Sequence, residues 1–273
     1  MDQEQVTPFC REVSRSEIEK TLFGTCRHVS SGLFPGCYDN CMMYEVIVLK
    51  EGYSVKDGPG HQKACGSITL LRGAHTILVD TGNPWDKDLI IEGLHEHSLL
   101  PEHIEYVVCT NGHTDKVGNL NLFPGALHIV SYDVSVKDRF LLHQFGEGIP
   151  YEIDEHVEVV PTPGHTGSDV SVIVKNTALG TVAVTGDLFE RFEDLDQPHL
   201  WQENSEQPEQ QEQSRIAVLR QADYIVPGHG PMFQVPPDSK KQLRVVVYEE
   251  HMGMLMGDLA VSQDYSVWEE EED

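Results

Sequence analysis

The chain has 273 residues, of which 39% are hydrophobic and 23% charged. That length can bury one large core and fits a single α/β domain, while a formal net charge of -26 disfavours binding of polyanions by bulk charge. No apolar run is long enough to span a bilayer and the start lacks a leader-like basic-then-apolar pattern, so a soluble protein of cytosol and nucleus, with no membrane partner, is expected.

Residues 1–43 mix Gly, Pro, Ser and Cys without a sustained period and are read as an N-terminal arm or oligomer contact. A domain over 44–240 follows, and 241–273 closes the chain with the acidic run from Trp268. The six cysteines, at 10, 26, 37, 41, 65 and 109, contain no C-x-x-C pair, which suits a reducing compartment.

Within the domain, Tyr44–Lys50, Ser67–Leu71 and His75–Asp80 read as strands and Gly52–Gly60 as a loop. Asn83 is placed to cap a helix with Pro84 at its first position and Leu89, Ile90 and Leu94 at helical spacing. Glu105–Thr110 and Leu127–Ser131 are further strands, and Tyr132–Pro150 is read as irregular. Val157–Pro161, Val170–Lys175, Thr181–Thr185 and Tyr224–Val226 complete the strands. Gln197–Gln213 reads as an exposed insertion passing into a helix near Ser214–Gln221.

Four of these strands end in glycine-containing loops that carry metal-type side chains. Glu105–Thr110 leads to Asn111, His113, Asp115 and Lys116; Val157–Pro161 leads to His165; Thr181–Thr185 leads to Asp187; and Tyr224–Val226 leads to His229. A lone His in a loop is usually a satisfied polar residue, but four such strand ends point to one basin, in which His113, Asp115, His165, Asp187 and His229 would hold metal.

The ordered set resembles the metallo-β-lactamase superfamily, whose pattern T-H-x-H-x-D-H, P-G-H, G-D and P-G-H-G is matched in order and spacing between Tyr44 and about Phe233. The segments GNLNLFPGALHIVS, LHQFGEGIPYEI and TALGTVAVTGDLFER are similar to a group within it of zinc-dependent endoribonucleases linked to 3′-end processing of histone pre-mRNA. The resemblance implies an αββα sandwich of two mixed sheets with the metal site at one edge, single-stranded RNA as substrate and a homodimer. It makes Asp80, at the end of LVDTG, a carboxylate that orients a ligand; a turn-forming Asp is the alternative.

Two positions depart from the pattern: Asn111 and Lys116 stand where histidine ligands are expected. The family's first sub-site would keep His113, His165 and Asp187, and its second Asp115, His229 and Asp187. One zinc is therefore expected, or two if the altered positions are tolerated. Two alternatives follow: Asp115 and Lys116 act in catalysis, the lysine charge replacing part of a missing metal, or the site has decayed into a non-enzymatic descendant. A thioester or lactam hydrolase of the same fold is a further alternative. Lys137, Arg139 and Arg191 are candidates to neutralise substrate phosphates.

Overall fold

The computed structural model describes residues 43–237 and Ser239. The described residues up to Gln234 fall in one compact unit, and those from Val235 on belong to a second. The expected N-terminal arm before residue 43 and the acidic C-terminal run lie outside the described residues, as do the cysteines at 10, 26, 37 and 41. Cys65 and Cys109 are buried free thiols. Among the described residues no helix is long and apolar enough to cross a membrane.

The first half contains β1 (Glu45–Lys50), β2 (Tyr53–Lys56), β3 (Gln62–Cys65), β4 (Ile68–Arg72) and β5 (Thr76–Val79). Helix α1 (Lys87–Glu96) crosses to β6 (Tyr106–Cys109), a single helical turn α2 (Thr114–Val117) follows, and β7 (Leu127–Val130), β8 (Asp133–Val136) and β9 (Arg139–Leu141) come next. The second half is β10 (Tyr151–Glu152), β11 (Val157–Pro161), β12 (Val170–Thr177), β13 (Gly180–Gly186), α3 (His199–Gln202), α4 (Pro208–Gln221), β14 (Tyr224–Pro227) and β15 (Phe233–Gln234).

These strands form a seven-stranded sheet ordered β1-β4-β5-β6-β7-β8-β9 and a six-stranded sheet in sequential order from β10 to β15, with β2 and β3 as a separate hairpin. Both large sheets are mixed: β6 runs parallel to β5 and β7, and β13 parallel to β14, while the other pairs are antiparallel. The sequence of β6, Tyr-Val-Val-Cys, shows why it lies at the centre. Tyr106 and Val108 face a core shared with Val159, Val172, Val184 and Val226 of the second sheet, whereas Val107 and Cys109 face Ile90 and Leu94 of α1. Alternation sends successive side chains to opposite faces, so a strand apolar throughout must be covered on both sides. The result is the expected α/β sandwich of two mixed sheets.

Four local expectations fail. Gly52–Gly60, expected as a loop, contains β2, and the hairpin it makes with β3 registers Tyr53 against Cys65 and Val55 against Lys63. Tyr132–Pro150, expected as irregular, contains β8 and β9; their turn sits on Lys137 at φ 56, a left-handed residue that gives no glycine signal. The first helix begins at Lys87, after N-cap Asp86, rather than at Pro84. Asp86 Oδ2 accepts the Asn83 N–H at 2.8 Å and the Lys50 ammonium at 2.6 Å, so Asn83 closes a turn ahead of the helix. The supposed insertion is largely helical: α4 starts at Pro208, and Gln211 and Arg215 are buried.

Candidate metal centre

The carboxyl ends of β6, β11, β13 and β14 each release a tight turn toward one point. Gly186 has φ 52, and any Cβ on it would strike the Thr110 side chain; a Cβ on Gly228 would strike Asp187. Only glycine permits both approaches. The two turns bring Asp187 and His229 against the loop that follows β6.

His113, His165 and Asp187 converge. His165 Nε2 lies 3.3 Å from His113 Nδ1, and Asp187 Oδ2 lies 3.7 Å from His113 Nδ1 and 3.4 Å from His165 Nε2. Three donors bound tetrahedrally to one zinc, with bonds of ~2.0–2.1 Å, stand about 3.3–3.4 Å apart, so two of these separations already match. The donors are two imidazoles and a carboxylate, which zinc accepts, and His113 is the exposed member. The residues present therefore fit one metal ion.

Asn111 is buried, and its amide is committed elsewhere. Nδ2 donates to Asp187 Oδ2 at 2.9 Å, while Oδ1 accepts the His113 backbone N–H at 3.0 Å. The one atom able to ligate a metal, Oδ1, is occupied in holding the loop, and the donating end orients Asp187.

The second sub-site is closed by an ammonium. Lys116 is fully buried, with Nζ 3.0 Å from Asp115 Oδ2, 3.0 Å from Asp187 Oδ1 and 3.4 Å from His229 Nε2. These are the three groups that the sequence assigns to a second metal, and they converge on the Lys116 nitrogen instead. A dication and an ammonium cannot share that point, so the residues present do not fit a second ion there. Burial opposes the charge on Lys116, but Asp187, Asp115 and Asp80 outweigh it and raise its pKa. Burial likewise works against ionisation of Asp187 and Asp115; Lys116 and His229 reverse this, holding Asp187 well below the usual range and Asp115 at about 2.

Three further parts of the site carry no motif. Glu190 is buried, and its Oε2 accepts from His229 Nδ1 at 2.7 Å, while Asp115 Oδ2 lies 3.0 Å from the opposite ring nitrogen. Burial and Lys116 oppose a charge on His229, but Asp187 and the carboxylates at its two nitrogens outweigh them and raise its pKa to about 9. Glu190 is held in turn: its backbone N–H donates to Asp194 at 2.7 Å, and Asp194 accepts from both Nη atoms of Arg215. That guanidinium lies between Phe189, 4.1 Å away, and Trp201. The only sequence signal was the placement of Glu190 three residues after Asp187.

Asp80 orients backbone rather than a ligand side chain. Its Oδ1 accepts the Thr110 N–H at 2.7 Å, and both oxygens accept from the Thr110 hydroxyl, which fixes the residue before Asn111. Burial pushes its pKa up to about 7 against the pull of Lys116. Lys137 and Arg139 lie on the β8–β9 hairpin, whose strands are two and three places from β6, whereas Arg191 follows Glu190 at the site.

Two mixed sheets with a histidine–carboxylate centre at one edge define, by class, a metal-dependent hydrolase. The chain belongs to the metallo-β-lactamase superfamily, whose family model matches residues 65–229. It is 50% identical over 194 residues to metallo-β-lactamase domain-containing protein 1 of Xenopus laevis, a match that covers 70% of this chain and 82% of that one. Over 222 residues it is 43% identical to the Homo sapiens protein of the same name, again 70% of this chain and 82% of the other. Among solved structures, a metallo-β-lactamase candidate from Thermotoga maritima superposes with TM-score 0.54 at 21% identity, over 70% of this chain and 99% of that one, which bears on fold alone.

Proposed function

We propose that the chain is a single-zinc phosphodiesterase acting on single-stranded RNA, slower than a two-metal hydrolase of the same fold. The observation that carries the one-metal part is the Lys116 ammonium, 3.0 Å from both Asp115 and Asp187. The RNA part is supported by the likeness of GNLNLFPGALHIVS and TALGTVAVTGDLFER to the endoribonuclease group, which also makes a homodimer of cytosol and nucleus the working form.

Zinc at His113, His165 and Asp187 would supply Lewis acidity and a nucleophilic water near neutral pH. The chain's own groups set the rest. Asn111 fixes Asp187, Glu190 fixes His229, and Lys116 keeps a positive charge beside the Asp187 carboxylate. Lys116 is sealed from solvent and reaches no substrate, so its part is electrostatic. A second reading, a non-catalytic descendant, is favoured by that same closure.

Metal content and cleavage rate separate the two. The native chain is expected to hold at most one zinc, and the double variant Asn111→His, Lys116→His two. RNA cleavage by the native chain should be at least ~100-fold slower than by the variant, a barrier difference of about 2.7 kcal/mol. Two zincs in the native chain, or equal rates, would overturn the one-metal mechanism. A native chain that cleaves no phosphodiester while the two-zinc variant does would establish the non-catalytic reading.

A further inference from the structure

We propose that Arg191 binds the anionic phosphate group of the substrate and so selects for charged over neutral esters. The inference rests on the phosphodiesterase reading above, and it concerns binding, not the metal. Lys116 is enclosed by carboxylates, and Arg215 is consumed by Asp194 and two aromatic rings. Arg191 has donors to spare. Its Nη1 makes one long contact, 3.5 Å to the Ser54 carbonyl, and among the described residues its buried Nε has no hydrogen-bond partner. A buried, unsatisfied N–H on a cation costs free energy unless something supplies an acceptor.

Its position suits that acceptor. Arg191 follows Glu190, which holds His229, and its stem lies against the turn after His229: a Cβ on Gly230 would meet Arg191 Cβ at 3.1 Å. The guanidinium therefore bridges from that turn to the β2–β3 hairpin. The next residue, Phe192, is 42% exposed and packs edge-on against Phe233 at 5.3 Å between centroids. A planar guanidinium fork with free donors fits a phosphate, whose oxygens it can take in a pair. In a chain of net charge -26, such a cation offsets the field at the place where an anion must approach.

The test is calorimetric titration of the zinc-loaded full chain with inorganic phosphate, for the native protein, Arg191→Ala and Arg191→Lys. Arg191→Ala should weaken phosphate binding ~10-fold or more, and Arg191→Lys by less, since the charge remains and the fork is lost. Zinc content and Tm should stay unchanged, which a merely structural arginine would not allow. With turnover, KM should rise for a phosphodiester reporter and not for a neutral ester. Equal phosphate affinity in all three proteins, or no binding by the native chain, overturns the proposal. Failure of every variant to cleave a phosphodiester, with the affinity difference intact, would instead count against the RNA reading and leave the anion site standing.

Discussion

Replacing Lys116 with Met keeps roughly the length of the side chain and removes its charge. The Nζ atom is fully buried 3.0 Å from two carboxylates, and Gly66 walls the pocket so closely that an added Cβ there would stand 3.0 Å from that nitrogen. Little water can enter to compensate. Breaking a buried pair from one side costs ~3–5 kcal/mol because the remaining charge is left uncompensated, and two carboxylates are left here. For a domain of about 200 residues each kcal/mol moves Tm by ~2–4 °C, so the fall should be about 6–20 °C. The assay is thermal unfolding followed by far-ultraviolet circular dichroism in chelator, with urea unfolding to supply the free energy. A loss below about 1 kcal/mol, the range of an exposed pair, would show that the ammonium does not close this cluster and would remove the physical basis for a one-metal site.

Chelation should leave the fold of the native chain intact, because the core is the apolar seam between the two sheets; loss of the dichroism signal on adding chelator would contradict this. Acid stability should depend on Glu105: burial raises its pKa, but the bonds from His75 and Thr76 win and hold it below its ordinary value of 4.5. A depressed folded pKa contributes stability above the unfolded value and loses it as pH falls through the folded one. The stability gap between the native chain and Glu105→Gln, read from urea unfolding, should therefore be full above about pH 4.5 and close as acid is added, and a gap unchanged with pH would refute it.

The sequence made the strand ends legible and left their surroundings hidden, for a physical reason. Each ligand-type residue follows a strongly apolar strand and sits beside a glycine that permits close approach, so pattern and chemistry coincide at His165, Asp187 and His229. The hairpin β2–β3 and strands β8 and β9 are half exposed with mixed polar sequences; the β8–β9 turn sits on Lys137 and gives no glycine signal, whereas the β2–β3 turn carries Gly58 and Gly60 at positive φ, which read as loop together with the short strand before it. Glu190, Asp194 and Arg215 were invisible for a different reason. Their partnership joins a short loop after β13 to the middle of α4, a contact made only by the fold.

Asn111 and Lys116 looked like losses in the sequence, yet their geometry makes them replacements. Asp80, Asp115, Asp187 and Glu190 bring four carboxylates into one buried region. Lys116 and a His229 flanked by carboxylates at both nitrogens already place positive charge among these carboxylates, and His113, His165 and Asp187 leave a place for a single dication. A second dication would have to expel an ammonium that is tightly enclosed. In the native chain the same donors satisfy Lys116, and Asn111 turns its amide N–H toward the carboxylate a metal would share. Returning only position 111 to histidine should therefore do little for metal content, because Asn111→His leaves the ammonium in place, whereas Lys116→His removes it from between Asp115, Asp187 and His229. Two zincs in Asn111→His, measured against one in the native chain, would show that the ammonium does not close the second sub-site.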